Sequence, residues 1–367
     1  MAKALAQAAA DPPAMPAQHI LSFARDLSGG GVERALLRLT GAWARTRRVT
    51  LVLGRADGPL RAELSPEVEL IDLRVSGIVP LARALPGVVR RMRPDLLFCP
   101  GSDYTSSAAW TRLRLGRAAP PIVAKQSNAV RRGDHGALAD RAHRAWLALH
   151  GRFLDHLVAM TPALAEEAGR ATRMAGRVSV IPNPPSASKA GTALPPLPDR
   201  FVLGVGRLVP QKRWDRLVAA LPALPGIALV LAGDGPDREP LVGQAARLGV
   251  ADRLHLLGHV PDPLPLMARA AVLALVSDFE GAPGVLAEAL SVGTPVVATL
   301  SSPAIPELVH GPALGHVIAR DDAAGLEAAL RHRLDPSTQR PPPQPRPGAD
   351  SADRYLSLFD ALTARRR

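Results

Sequence analysis

Two carboxylates stand eight residues apart in the second half of the chain. Glu280 follows the apolar run 271–276, which we interpret as a buried strand, and Glu288 lies in a segment with helical spacing. Pro283 favours the first turn of that helix and Gly293 favours its end. A carboxylate in a loop and another on the next helix can each accept hydrogen bonds from hydroxyls. This spacing predicts a site for a sugar or a ribose; the alternative is an acidic loop beside a solvated glutamate.

Two cations lie on a loop that follows another predicted strand. Arg207 and Lys212 come after the apolar run 201–205 and the glycine Gly206. Fixed cations stabilise negative charge that develops on a leaving group. Arg binds phosphate oxygens in pairs, whereas Lys acts as a point charge. The loop is therefore a candidate anion site; the alternative is a solvated lysine at the start of a helix.

A run of three glycines opens the first half of the chain. Gly29, Gly30 and Gly31 stand between the short apolar strand 19–23 and the helical segment 35–43. A backbone without side chains can approach a ligand closely. Strand, glycine loop and helix in this order indicate the start of a nucleotide-binding fold. The alternative is a plain surface turn.

Short apolar strands alternate with helical segments along the whole chain, which indicates βαβ units and parallel sheets. In the first half the further strands are predicted at 49–53, 68–71, 95–99, 121–124 and 156–159. The pattern restarts in the second half with strands at 201–205, 228–232, 254–257, 272–276 and 295–298. Open parallel sheets bind ligands at the carboxyl ends of their strands, where the motifs above stand.

A chain of 367 residues is long enough for two domains. We predict a disordered leader at 1–17, a first domain at 18–183, a proline-rich linker at 184–198, a second domain at 199–335, a proline-rich crossover at 336–349 and a C-terminal helix at 350–367. We expect that last helix to pack back on the first domain.

The net charge of +12 is unevenly distributed. Residues 1–183 hold 26 Lys and Arg against 15 Asp and Glu, a net +11, so the remainder contributes only +1. Basic surfaces attract anionic lipids, phosphorylated acceptors or nucleic acid. The segment 81–94 has a basic, amphipathic helical pattern that fits a membrane surface, although Pro86 and Gly87 disfavour a long helix there.

Composition excludes several classes of protein. No apolar run approaches the roughly 20 residues of a membrane span, and residues 1–18 lack the apolar core of a secretory signal. The single cysteine, Cys99, excludes an intrachain disulfide and a cysteine metal cluster, which favours the cytoplasm. No Asp-x-Asp motif occurs and no histidine pair has the spacing of metal ligands. We therefore expect no metal and no other cofactor.

The segments 204–212 and 271–298 resemble the retaining, nucleotide-sugar-dependent glycosyltransferases of family 4. The resemblance implies the GT-B architecture, in which two Rossmann-like domains face each other across a cleft. It also implies that Glu280 binds hydroxyls of the transferred sugar, that Glu288 binds the ribose, and that Arg207 and Lys212 hold the diphosphate. The other residues implied on the donor side are Gly206, His259, Val260, Gly281, Ala282, Pro283, Gly284 and Val285.

The first domain resembles the acceptor side of the same family. The resemblance implies that Gly29, Gly30 and Gly31 approach the donor phosphate and the acceptor, and that Asn128 and Arg131 contact the sugar or an acceptor phosphate. Relatives often carry a His-Asn pair at this point, whereas this chain has Ser127 in the histidine's place, followed by Asn128. An imidazole role at that position is therefore not expected.

The expected function is transfer of a hexose-type sugar, with retention, from a nucleotide sugar to a lipid-linked or saccharide acceptor. An anionic membrane surface is a further expected partner, with the enzyme at the inner face of the cytoplasmic membrane. The alternatives are a sugar-nucleotide epimerase or another GT-B enzyme, and a basic nucleic-acid-binding protein. Only 3% of the residues are aromatic, so stacking platforms for single strands are scarce and a nucleic-acid partner is not expected.

Overall fold

The computed structural model describes residues 16–130, 136–186, 194 and 196–365. Within them, seven parallel strands form a first sheet in the order β3-β2-β1-β4-β5-β6-β7. These strands are β1 His19–Ala24, β2 Arg48–Leu53, β3 Glu69–Asp72, β4 Leu96–Cys99, β5 Ile122–Lys125, β6 His156–Ala159 and β7 Val178–Val180. The inner strands are buried on both faces, which is why their sequences are continuous apolar runs and not alternating ones.

Five helices join the strands of this first domain. They are α1 Gly31–Ala44, α2 Ile78–Met92, α3 Thr105–Leu115, α4 Ala137–Ala148 and α5 Pro162–Thr172. Right-handed crossovers place α1 on one face of the sheet and α2 to α5 on the other, because the chain moves from β1 in one direction and then returns past it.

A second parallel sheet has the order β10-β9-β8-β11-β12-β13. Its strands are β8 Phe201–Val205, β9 Ala228–Ala232, β10 Leu254–Gly258, β11 Val272–Leu275, β12 Val296–Thr299 and β13 Gly315–Ile318. The helices of this second domain are α6 Trp214–Ala220, α7 Arg238–Arg247, α8 Leu264–Arg269, α9 Gly284–Ser291, α10 Ala304–Leu308 and α11 Ala323–Leu334. The sequence did not predict β13, which is a half-buried strand at the edge of the sheet.

The last helix, α12 Ser351–Ala364, packs on α1 of the first domain, as the sequence predicted. Tyr355 and Phe359 are fully buried there against Trp43 and Phe98. The Trp43 and Phe359 ring centroids lie 5.1 Å apart, and the Trp43 indole donates to the Ala352 carbonyl at 3.2 Å. A chain segment that follows the second domain therefore completes the core of the first.

Helix α2 corrects one expectation. It runs without interruption from Ile78 to Met92, through Pro86, although the sequence predicted that proline and Gly87 would disfavour a long helix. An internal proline costs about 3 kcal/mol or more, but Leu81, Leu85 and neighbouring apolar residues on the same face are buried in the first core. Burial of several such side chains outweighs that cost. Because its apolar face is inside the protein, α2 has none to insert into a membrane.

Candidate functional site

Both sheets reverse their strand order at one place. In the first sheet the reversal lies between β1 and β4, and in the second it lies between β8 and β11. Ligands of open parallel sheets bind in the crevice outside the carboxyl ends of strands at such a reversal. The glycine loop follows β1, the Arg207 loop follows β8 and the Glu280 loop follows β11. The fold therefore brings three of the predicted motifs to the two reversal points.

Lys212 and Glu280 form a close ion pair. The lysine Nζ lies 2.6 Å from Oε1 of Glu280, and the whole Glu280 residue is only 8% exposed. The Glu280 amide also donates to the Ser301 carbonyl at 2.9 Å. Lys212 gives this buried carboxylate a hydrogen-bonding partner of opposite charge. The lysine predicted to hold a diphosphate is thus joined to the carboxylate predicted to hold the sugar.

Arg207 follows Gly206, where a Cβ would lie 3.3 Å from the Lys212 side chain. Arg207 is exposed and has no side-chain partner among the described residues. Its carbonyl accepts the Trp214 indole hydrogen at 2.9 Å, which fixes the backbone of the loop. Gly206, just before it, has φ of 152°. A side chain on Gly233 would collide with the Gly206 carbonyl, so two strand ends meet here backbone to backbone. The loop is rigid while its arginine is available to an anion.

Glu288 is engaged by the linker. The Ser186 hydroxyl donates to Oε1 of Glu288, although the two residues are 102 positions apart. The linker is held in place by Arg346, which donates to the Ser186 carbonyl at 2.6 Å, and by Arg38, which donates to the Pro184 carbonyl at 3.4 Å. Burial lowers the pKa of Arg38, while nearby Glu288 opposes that shift. The sequence did not predict the contacts of Ser186, Arg346 and Arg38, because residue spacing does not show which side chains of the two halves of the chain meet.

The two domains touch across the cleft at the Glu280 loop. A Cβ on Gly281 would lie 2.2 Å from the Ser127 carbonyl, so only glycine fits here. The next residue, Ala282, packs against a small apolar cluster drawn from both domains: Ala159, Met160, Leu164 and Ala304. On another side of the cleft, the Arg34 guanidinium lies 3.2 Å from Nε2 of the exposed His259.

The glycine loop joins β1 to α1 through two residues with positive φ. Gly29 and Gly30 have φ of 118° and 140°, and Gly30 caps α1 by accepting the Arg34 amide at 3.1 Å. Gly31 is the first residue of that helix. Glu33, one turn into α1, accepts the Tyr104 hydroxyl at 3.0 Å, and burial raises the pKa of Tyr104. The amides at the start of α1 follow β1 at the strand reversal of the first sheet, a position suited to a phosphate.

Asn128 lies at the end of β5, where its amide donates to Oδ1 of Asp103 at 3.2 Å. The Ser102 amide donates to the Ser127 hydroxyl at 3.0 Å, so the serine that replaces the family histidine has a structural partner. Arg131, the remaining predicted contact of this segment, lies outside the described residues.

Lys125 is a buried cation that sequence reasoning did not select. It ends β5, is 1% exposed, and donates from Nζ to Oδ1 of Asn183 at 3.2 Å. Burial lowers its pKa to about 8, partly offset by Glu33. Asn183 lies where the chain leaves the first domain, so this bond ties the start of the linker to the core. The sequence feature that could have identified Lys125 is a charged residue at the end of an apolar run.

The remaining donor-side residues occupy the start of α9 and the end of β10. Pro283 is the residue before α9, and Gly284 and Val285 are its first two residues. Val260 follows β10 and is half-buried beside the cleft loop that carries His259. In the part of the chain described, no three His, Cys, Asp or Glu residues are grouped closely enough to hold a metal ion, and no helix is both long and apolar enough to cross a membrane.

Two family models match consecutive parts of the chain. The one described as Glycosyltransferase Family 4 matches residues 29–187, and the one described as Glycosyl transferases group 1 matches residues 199–335. Together they cover most of both domains.

Two curated relatives and one solved structure illustrate the similarity. The lipopolysaccharide core biosynthesis glycosyltransferase LpsE of Rhizobium meliloti is 38% identical over 27% of this chain and 29% of its own. Glycogen synthase of Mycobacterium tuberculosis is 32% identical over 54% of this chain and 50% of its own. The match thus spans half or less of each relative. HepE of Anabaena, solved with UDP and glucose, has a TM-score of 0.71 at 23% identity, covering 95% of this chain and 97% of that one, which shows a shared GT-B fold.

Proposed function

Because the chain belongs to family 4 of the glycosyltransferases, we propose that it moves a hexose-type sugar from a nucleoside diphosphate sugar to an acceptor hydroxyl, with retention of configuration. The observation that carries the proposal is the Lys212–Glu280 pair beside the unpartnered Arg207 at the strand reversal of the second sheet. A carboxylate that can accept hydrogen bonds from sugar hydroxyls, together with two cations on a neighbouring loop, supports the binding of a sugar diphosphate.

In this proposal Glu280 binds hydroxyls of the sugar, and Arg207 and Lys212 bind the diphosphate. Negative charge grows on the diphosphate as the bond from its oxygen to the sugar C1 breaks, and preorganised cations stabilise that charge. The amides at the start of α9, from Gly284 onward, add further donors. Glu288 binds the ribose, taking its hydroxyls in exchange for the Ser186 hydroxyl.

Retention follows if the acceptor oxygen attacks from the face that the diphosphate leaves. The new bond joins the acceptor oxygen to C1, the old bond to the diphosphate oxygen breaks, and the acceptor proton passes to the departing diphosphate. The glycine loop and Asn128 line the acceptor side of the cleft, where the Gly281–Ser127 contact closes it. No metal takes part in this scheme, because Arg207, Lys212 and the helix N-termini meet the charge.

The acceptor in this proposal is a lipid-linked or lipid-bearing saccharide, in glycolipid, lipopolysaccharide or exopolysaccharide synthesis, and the enzyme works at the inner face of the cytoplasmic membrane. The relative named for lipopolysaccharide core biosynthesis supports such an acceptor. The net +11 of residues 1–183 supports attraction to an anionic surface. The glycogen synthase relative gives the competing acceptor, a soluble glucan.

The test is a panel of UDP-, GDP- and ADP-sugars against the full chain in EDTA, read by thermal shift. A ligand that binds the folded state raises Tm by mass action, so one donor is expected to give a larger shift than its free nucleoside diphosphate. That donor should then release nucleoside diphosphate when a glycolipid acceptor is added. Shifts that need a divalent ion would contradict the metal-free scheme, and no shift with any sugar nucleotide would contradict the proposed function.

A further inference from the structure

A basic groove lies at the end of the first sheet opposite the cleft. Two adjoining cavities of about 450 and 400 Å³ share Gly151, Arg152 and Arg177. They are formed by the segments that precede β5, β6 and β7, so they open at the amino ends of these strands. The arginines that line them are Arg112, Arg117, Arg152, Arg173 and Arg177. We name this feature the arginine groove.

Two of these arginines build the groove and three remain available. Arg112 pairs with Asp155, the one acidic residue in the lining, and Arg177 donates to the carbonyls of Leu154 and Gly151 at 3.1 and 3.2 Å. Arg117, Arg152 and Arg173 are exposed and have no side-chain partner among the described residues. Three unpaired guanidiniums around one concave surface form an anion site, and guanidinium geometry favours phosphate oxygens.

Large apolar side chains are exposed beside the groove. On α3, Trp110 and Leu113 are 37% and 73% exposed, and the Arg114 guanidinium lies 5.6 Å from the Trp110 ring centroid. At the end of α4, Leu149 lines the groove and is 39% exposed. Trp beside Arg and exposed Leu is the composition of a surface that enters the boundary between lipid headgroups and acyl chains.

We propose that the arginine groove binds the phosphate of an anionic lipid headgroup, while Trp110, Leu113 and Leu149 enter the membrane interface. This inference rests on the membrane location in the proposed function and names the surface responsible. The arginine groove, and not α2, is the proposed membrane surface, because the apolar face of α2 is buried in the core. A free phosphate would use the arginines but gain nothing from the exposed apolar side chains, which is why a lipid is the occupant that fits both.

Helix α4 connects this surface with the cleft. Leu138, in its first turn, is 83% exposed, and Leu149 follows its last turn. The two residues are eleven positions apart, which is about 16 Å along the axis and returns to the same side of the helix. Arg141, between them, is also exposed. A membrane lying along α4 would therefore reach from the arginine groove toward the end of the first sheet where the acceptor is expected.

The experiment is co-sedimentation of the full chain with phosphatidylglycerol-containing or pure phosphatidylcholine vesicles at low ionic strength. The groove variant is Arg152→Gln with Arg173→Gln. The matched control is Arg61→Gln with Arg74→Gln, which removes the same charge from exposed arginines that follow β2 and β3 and have no side-chain partner among the described residues. Wild type should sediment with anionic vesicles only. Since each basic residue contributes on the order of 1 kcal/mol, the groove variant should bind roughly tenfold or more weakly, and the control within about threefold.

A second variant, Leu113→Ser, tests the apolar contribution and should weaken the binding that survives at high salt. Equal losses in the groove variant and the control would mean that net charge alone binds, which overturns the groove. Binding of inorganic pyrophosphate at the groove without vesicle binding would overturn the lipid as its occupant. If wild type stays in the supernatant with both kinds of vesicle, the lipid-binding role of the groove and the membrane location are both contradicted. The transferase function is tested separately by the sugar-nucleotide thermal shift.

Discussion

At the scale of single residues, the Lys212–Glu280 pair fixes the orientation of a carboxylate that is only 8% exposed. In the proposed function, the carboxylate is thereby oriented before the sugar binds. A bound donor would add sugar hydroxyls to the carboxylate and phosphate oxygens to the lysine. The same two side chains then link the part of the donor that is transferred to the part that leaves.

If Glu288 binds the ribose as proposed, the Ser186 hydroxyl competes with the nucleotide for it. This hydroxyl occupies the carboxylate that we assign to the ribose. Ser186→Ala should therefore tighten binding of free nucleoside diphosphate, by about 2- to 10-fold if one neutral hydrogen bond is at stake. Isothermal titration of the full chain measures this. Glu288→Ala is the opposing variant and should weaken binding by about 1.5–3 kcal/mol; unchanged affinity in both variants would separate Glu288 from the ribose.

His150 gives the first domain a pH dependence. The imidazole is buried between Trp146 and Phe153, neither ring nitrogen has a hydrogen-bond partner among the described residues, and burial lowers its pKa to about 4. The unfolded chain binds this proton below about pH 6.5, so the contribution to stability is present above that pH and is lost as pH falls toward 4. His150→Phe should remove the loss. The free energy of unfolding of wild type and variant is measured in urea at pH 7.5 and at pH 5. The difference between the two proteins should change by about 1–3 kcal/mol between these pH values; an unchanged difference would contradict the argument.

The residue types at the site could be predicted, but their pairings could not. Glu280, Arg207 and Lys212 were selected because each follows an apolar strand, and the fold places the carboxyl ends of those strands together. The bonds Lys212–Glu280 and Ser186–Glu288 join residues 68 and 102 positions apart. The spacing of residues along one sequence does not show which of such distant side chains are in contact. Buried Lys125 was overlooked because its partner, Asn183, is 58 positions away in the sequence.

At the scale of elements, α12 is part of the first core although it follows the second domain. Phe359 is fully buried against Trp43 and Phe98. Phe359→Ala should destabilise the first domain by about 3–5 kcal/mol, because it removes a large ring and leaves a cavity. Urea unfolding of the full chain measures the change, with the exposed Ser357→Ala as control in the same helix. A loss below 1 kcal/mol would mean that α12 is peripheral to the core.

Secondary-structure elements could be predicted where their burial requires a continuous run of apolar residues. Strands such as β6, β8 and β9 are short apolar runs bounded by turns, and their predicted limits match the structure. Strand β13 was missed because it is half-buried and contains a glycine and a histidine. Helix α2 was predicted to be short because local propensity penalises Pro86, whereas packing of the whole apolar face decides the outcome.

At the scale of the whole molecule, the contact of Gly281 with Ser127 sets how closely the domains approach. Gly281→Ala would place a Cβ 2.2 Å from the Ser127 carbonyl, so the cleft must open. We expect a larger radius of gyration by small-angle scattering and slower transfer. Gly87→Ala in helix α2 is the matched control, since among the described residues a Cβ there meets nothing within 4 Å. Identical scattering curves for both variants would show that this contact does not hold the cleft closed.

The central claim is that Arg207 stabilises the departing diphosphate in the cleft. The most direct measurement is the rate of nucleoside diphosphate release from the donor found in the sugar-nucleotide panel, in EDTA, for wild type and Arg207→Ala. Arg247→Ala, an exposed arginine at the end of α7, controls for loss of charge. Removing one electrostatic stabiliser should lower the rate on the order of 100-fold, with the control near wild type. A rate within a few-fold of wild type for Arg207→Ala would contradict the account.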